Sequence, residues 1–522
     1  MPANLDFPMY FNITFLSILG LGMLFGFLRG MKKALYSLIV TLIFIIIFFF
    51  TLDLMVNLLY EVNIPFLGGL LSNVYPSLSS VTTLKDALPI VLEDLVGEEF
   101  QASLTNENLI EFINALAMFV IKIIYAIIYF TVIQVIYRFI LFLVRIIFFS
   151  SKKDKKRSKH RLLGGLFGLM SGAVSVFVML IILSGIINIS ESLLTVTSNI
   201  QEDSTVNLEY RPRVELNQPS SSIIEMAETS PIPAEFTEVI NTLNEMITAY
   251  NSNIVVQSAT YATIPNTDSG TEEELTLYLF DQILSIKYKE QEIAIREELA
   301  VFADVASLAL NSEYLETNNL GDITGEEIRD IFTTLSNSNL LTALLPLGVE
   351  VASDIYETEI TVPVEELYEI DWENEIMLLG EVAANVFDIV NAAGIFEEGT
   401  DLMQVTLDGD AVEGLFTEIG ESDLVNLAAY VAIEPVLAMA GEVAQSVITV
   451  PADIVWEDEF QAIGALAGEI FNTGITVGDL ESGDPTVLLT TLSSMDFTVI
   501  LNSQIITNAL INIISGESMI AI

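Results

Sequence analysis

The chain has no cysteine and a single histidine, His160. Without cysteine there is no disulfide framework, no thiol nucleophile and no thiolate metal site. With one histidine, no Ser-His-Asp triad, no HExxH helix and no set of histidine ligands can be assembled. No Walker-type phosphate loop occurs, because Gly164 and Gly165 open an apolar run. A hydrolase working through two carboxylates is the one catalytic class left, and the many acidic residues nominate no pair. The expectation is a protein that is not an enzyme and uses no cofactor or metal.

Basic residues are also scarce: 20 Lys and Arg stand against 70 Asp and Glu, a net charge of −50. They are unevenly placed. Residues 1–189 hold 14 Lys and Arg and 11 Asp and Glu, whereas residues 190–522 hold 6 and 59. So acidic a second half repels nucleic acid and anionic lipid headgroups and tolerates cations or basic partners, and solubility alone is reason enough for it. Cleavable export signals carry basic residues before their apolar run and small residues after it. The first apolar run here has neither.

Apolar residues are abundant, at 52% of the chain with a mean hydropathy of +0.57. They concentrate in four runs, near 10–28, 34–51, 112–149 and 162–187. About 20 such residues suffice to cross a bilayer. Arg29, Lys32 and Lys33 lie between the first two runs, and Lys152, Lys153, Lys155, Lys156, Arg157, Lys159 and Arg161 precede the fourth. Basic loops stay on the cytoplasmic side. Both turns are therefore cytoplasmic, and the N-terminus and everything beyond about Ser190 extracytoplasmic. Within residues 53–111, Ile64–Leu71 and Ala87–Val96 read as short amphipathic helices on the outer interface, with a re-entrant course as the alternative.

The third run is longer than the hydrocarbon needs, so Lys122 and Arg145 can snorkel to opposite interfaces. Gln134 and Arg138 remain as intramembrane polar residues on one face with Arg145, a functional hypothesis by default. Gly22, Gly26 and Gly30 line the first helix at four-residue spacing, and Gly164, Gly168 and Gly172 line the fourth. Such stripes let backbones approach closely, within one bundle or across a homo-oligomer.

Residues 1–189 resemble the colicin V production (CvpA) family of bacterial inner-membrane proteins. The resemblance rests on Gly26-Phe27-Leu28-Arg29-Gly30 and on Arg161-Leu162-Leu163-Gly164-Gly165-Leu166-Phe167-Gly168-Leu169-Met170-Ser171-Gly172, set around two basic turns in a four-span layout. It implies a multi-pass cytoplasmic-membrane protein tied to toxin production or export and to envelope upkeep. The family often has Asp near the start of the first helix and Glu after the Arg-Gly pair. This chain has Asn12 and Ala34 there, so no role of those carboxylates is carried over.

Residues 190–222 read as a linker, with Arg211-Pro212-Arg213 inside it. Beyond it the sequence repeats. Trp372-Glu373-Asn374-Glu375-Ile376 and Trp456-Glu457-Asp458-Glu459-Phe460 lie 84 residues apart, and the same shift relates Gly325 to Gly409 and Phe332 to Phe416. A degenerate earlier copy is Glu298–Ala306. The expected architecture is all-α: four transmembrane helices, then an acidic extracytoplasmic array of helical repeats over 223–522. Its units fall near 223–310, 321–395 and 405–475, with a partial one at 478–515. Trp372 and Trp456 are its packing anchors. Acidic clusters at Asp322, Asp408 and Asp479 open the units as helix caps.

The functional expectation is a bilayer-embedded envelope component whose repeats bind an envelope protein, with no nucleic-acid partner. The alternatives are a membrane-anchored adhesin or ligand-binding module, and an oligomeric channel or transporter component.

Overall fold

The computed structural model describes residues 7–65, 106–130, 161–199, 234–265, 272–289, 291–355 (apart from 313 and 318), 363–396, 400–440, 454–476 and 503–515, with isolated positions among 68–90, 448–451 and 478–479. These residues are mostly helical and divide into two units, Met1–Ala303 and Asp304–Ile522.

The first unit holds four helices long and apolar enough to cross a membrane. They are α1 (Phe7–Arg29), α2 (Met31–Glu61), α3 (Glu107–Ile128) and α4 (Arg161–Asn199, apolar through Ser192). Their Ile, Leu and Phe runs are helical because a backbone in hydrocarbon must satisfy its own polar groups. Gly30 does not line α1 as expected from its spacing. It separates α1 from α2 with φ of 75°, a conformation that favours glycine. At 1.5 Å per residue α2 is about 46 Å long and α4 about 58 Å. Both exceed the roughly 30 Å of bilayer hydrocarbon. The limits expected at 51 and 187 therefore fall short, and α4 takes up the start of the segment read as a linker.

The larger departure concerns residues 234–303. They group with the apolar helices, not with the segments that follow, so the boundary lies at Ala303 and not in the linker. Nor is this segment purely helical. It runs α5 (Ala234–Asn251), α6 (Ile254–Thr260), a hairpin of β1 (Thr263–Pro265) and β2 (Glu272–Glu274), and α7 (Leu275–Ile283). A second hairpin of β3 (Ser285–Tyr288) and β4 (Gln291–Ala294) follows, then α8 (Ile295–Leu310). In the second hairpin Ile286, Tyr288 and Ile293 are buried while Lys287 and Glu292 are exposed, the period-two alternation of a half-covered ribbon. The unit expected near 223–310 thus includes two short strand pairs among its described residues.

Two of the apolar cores among the described residues tie these helices together. Between α2 and α3, the rings of Phe44, Phe48, Tyr125 and Tyr129 pack together. Phe15 of α1 and Val176, Leu180 and Ile187 of α4 enclose a second core with Ile247, Tyr250 and Val256.

The second unit contains α9 (Gly325–Ser336), α10 (Asn339–Ile355), α11 (Val364–Leu367), α12 (Trp372–Ala392), α13 (Gly409–Glu421), α14 (Asp423–Ala440), α15 (Trp456–Asn472) and α16 (Gln504–Ser515). Helix α9 packs on α12, and α13 packs on α15. In the first pair Phe332 sits on Gly380, where any Cβ would overlap it; in the second, Phe416 sits on Gly464 in the same way. These contacts are 84 residues apart. Helix starts are capped locally. Thr324 and Glu327 form a capping box, Asp408 accepts the N–H groups of Asp410 and Ala411, and Thr476 pairs reciprocally with Asp479.

Candidate functional site

Small residues build the contact between α1 and α4. A Cβ on Gly22 would stand 2.6 Å from the Gly168 carbonyl oxygen, and one on Gly164 would stand 2.7 Å from that of Gly26. Gly172 meets α1 at Ile18 and Leu19, and Gly30 lies against Gly164. The stripes thus face each other within one chain. Arg29, Lys32, Lys33 and Arg161 are exposed at this end of the helix pair.

At the opposite end, residues 234–296 form a collar on the apolar helices, fastened by polar ties. Asn253 Nδ2 donates to Asn12 Oδ1 of α1 at 2.9 Å. Asn251 Nδ2 donates to Glu191 Oε1 of α4 at 2.6 Å. Lys122 of α3 does not snorkel to water: it is 8% exposed, and its Nζ donates to the hydroxyl (3.1 Å) and carbonyl (3.4 Å) of Ser285. The Ser285 hydroxyl in turn donates to Glu292 at 2.7 Å. Gly185 of α4 receives the ring of Phe280, which leaves no room there for a Cβ.

Arg296 is the hub of the collar. Its Nε and Nη2 donate to Asp281 at 2.5–3.1 Å, Nη1 to Asn188 of α4 at 3.3 Å, and Nη2 also to Glu297 at 3.1 Å and Glu273 at 3.4 Å. Burial works against the Arg296 charge, yet the Asp281 hydrogen bonds and surrounding carboxylates raise its pKa above the ordinary arginine value. Glu273, Asp281 and Glu297 lie close enough to hold a metal ion, but the guanidinium already occupies their oxygens. The cluster is a half-buried ion-pair network, open to solvent at Glu297, with a structural cation of its own.

In the second unit, two fully buried carboxylates recur. Glu375 accepts the Ser422 hydroxyl and, at 3.1 Å, the Asp423 N–H. Glu459 accepts the Ser503 hydroxyl at 2.6 Å and the Gln504 N–H at 2.6 Å. Each serine caps its own helix through the N–H three residues on. A residue of one helix thus satisfies the opening donors of another far along the chain. Trp372 Nε1 donates to Leu367 at 3.0 Å. Trp456 Nε1 is buried without an acceptor among the described residues. Trp456 follows Pro451 of a shared Ile-Thr-Val-Pro stretch by five residues where Trp372 follows Pro363 by nine, and α11, which carries Leu367, has no counterpart there among the described residues.

Gln134 and Arg138 lie outside the described residues, as do Lys152, Lys153, Lys155, Lys156, Arg157 and Lys159. Sequence reasoning missed Ser285, Arg296 and Gly185. Arg296 had one signal, being among only six basic residues after position 190. Glu375 and Glu459 were visible only as parts of the repeated Trp-Glu-x-Glu pattern. No protein-family model, no curated protein and no solved structure matches the chain.

Proposed function

We propose that this chain is a multi-pass protein of the bacterial cytoplasmic membrane, similar over residues 1–189 to the CvpA family. Its role is non-enzymatic, in toxin production or export or in envelope homeostasis. Residues 304–522 then form an acidic helical-repeat domain outside the membrane that binds another envelope protein. One observation carries the reading. The basic residues Arg29, Lys32, Lys33 and Arg161 gather at one end of the α1–α4 pair, and the collar sits on the other. Under the positive-inside rule the collar, and the chain leaving it, are extracytoplasmic. The recurring contacts of Gly380 and Gly464 and of Glu375 and Glu459 support the repeat reading.

Protease treatment of intact cells tests the orientation, with epitope tags after residue 522 and inside 152–161. Loss of the C-terminal tag with survival of the loop tag is expected; the converse would overturn the proposal. Arg138→Leu separates this reading from the anchored-adhesin alternative. It should leave the protein assembled yet abolish its phenotype, whereas a mere anchor would tolerate the change.

A further inference from the structure

Helix α7 and strand β3 are joined by the single residue Leu284, yet they grip different apolar helices. Phe280 of α7 lies flat on Gly185 of α4. Five residues on, Ser285 of β3 holds Lys122 of α3. The returning strand β4 runs into α8, whose second residue, Arg296, bonds to Asn188 of α4. Residues 280–296 therefore cross from α4 to α3 and back. Counted from Arg161 and from Met31 at 1.5 Å per residue, Gly185 stands about 36 Å up and Asp53, which lies near Lys122, about 33 Å. That height is just beyond about 30 Å of hydrocarbon, so water reaches these ties once they part, although Lys122 and Ser285 are buried while they hold.

The chemistry of these ties is unusual for simple packing. A buried lysine held by a hydroxyl and a carbonyl, and a half-buried arginine in a carboxylate cluster, bear desolvation costs that apolar side chains of similar size would not. Contacts of this type hold one arrangement yet exchange readily for water. The glycine contact of α1 with α4, by contrast, is backbone on backbone with nothing polar to release. The two ends of the bundle are therefore closed by different means.

We propose that residues 280–296 are a releasable strap that closes the α3–α4 side of the membrane bundle at its outer end. Helix α8 begins within this strap and continues past Ala303, so it is the covalent link between the strap and the second unit. The strap is the two-state element, and its release leaves the basic end of the bundle unchanged.

The chain has no cysteine, so spin labels can be placed at will on the full-length protein in lipid nanodiscs. One pair, Ile110→Cys with Ile186→Cys, reports the outer ends of α3 and α4; a second, Phe27→Cys with Leu162→Cys, reports the basic end. Gly185→Leu, which wedges Phe280 away, and Lys122→Met should each shift the outer pair to longer distances and leave the inner pair unchanged. An unshifted outer pair in both variants would overturn the proposal. So would a shift of both pairs together in Ser285→Ala and Asn188→Ala, which delete one hydrogen-bonding group each and spare the fold. In the unlabelled wild type, amides of 284–295 should exchange with deuterium as one group, at least about tenfold faster than those around Gly168. Equal protection would show that the strap does not release.

Discussion

Glu375 and Glu459 accept hydrogen bonds from serines 47 and 44 residues further along the chain. The first four N–H groups of a helix have no partner within it. Local capping meets that need with a nearby Ser, Asp or Thr. Here a local serine is supplemented by a carboxylate from another helix, so cap and tertiary contact are one interaction. Burial raises the Glu375 carboxyl above its ordinary value of 4.5 despite the stabilising bonds from Ser422, Leu424 and Asp423. A carboxyl raised on folding favours the folded state fully below its unfolded pKa, and that contribution is lost as pH rises through the folded pKa. We expect the wild type to lose stability relative to Glu375→Gln as pH rises from about 4.5. Glu375→Ala should cost about 2–4 kcal/mol, because it strands buried donors and leaves a void. Both Trp residues lie in this unit, so urea titration followed by tryptophan emission reads it selectively. A pH profile parallel to that of Glu375→Gln would refute the assignment.

At the scale of the element, the contact between α1 and α4 depends on having no side chains at its crossing. A Cβ on Gly26 would overlap the Gly164 carbonyl, and one on Gly168 that of Gly22. Backbone cannot yield as a flexible side-chain tip can. Gly26→Val should destabilise the bundle by about 3 kcal/mol, the upper range for overpacking. Gly20 lies on the same helix with open space around it, so Gly20→Ala should be neutral or slightly stabilising. Thermal unfolding in detergent, followed by circular dichroism, distinguishes the two; equal effects would mean that the stripe is not the packing surface. Four-residue spacing made this stripe legible in advance for Gly22, Gly26, Gly164, Gly168 and Gly172. Gly30 also packs on Gly164, from one residue past the end of α1, although periodicity does not register its φ of 75°. The same spacing passed over Gly185, whose neighbour Phe280 is distant in sequence and belongs to another layer.

At the scale of the whole molecule, charge sorts the chain. Ten of the 14 basic residues of the first 189 positions stand in the turns at 29–33 and 152–161, and the acidic excess begins near the end of α4. Orientation should therefore depend on the sum of both basic turns. Replacing Arg29, Lys32 and Lys33 together with the seven basic residues of 152–161 by Gln should give a mixed population of orientations, whereas replacing either set alone should not. The protease-and-tag measurement on intact cells reads the fractions. A single unchanged orientation after the full replacement would mean that the acidic half, not the basic turns, decides.

Composition and periodicity alone determined that four stretches are apolar helices and that the basic residues at 29–33 and at 161 share one end of α1, α2 and α4. They also identified the matched glycines and the shared pattern around Trp372 and Trp456. Each of these is a property of neighbouring residues, or of a total, and needs no knowledge of distant contacts. Only the tertiary structure assigned residues 234–303 to the apolar helices. It placed Lys122 under Ser285 instead of in water, and turned two ordinary glutamates into caps for distant helices. Those outcomes depend on which surfaces meet between residues 44 to 241 positions apart. A lysine near a bilayer edge can snorkel or be covered equally well until the residue that covers it is in place.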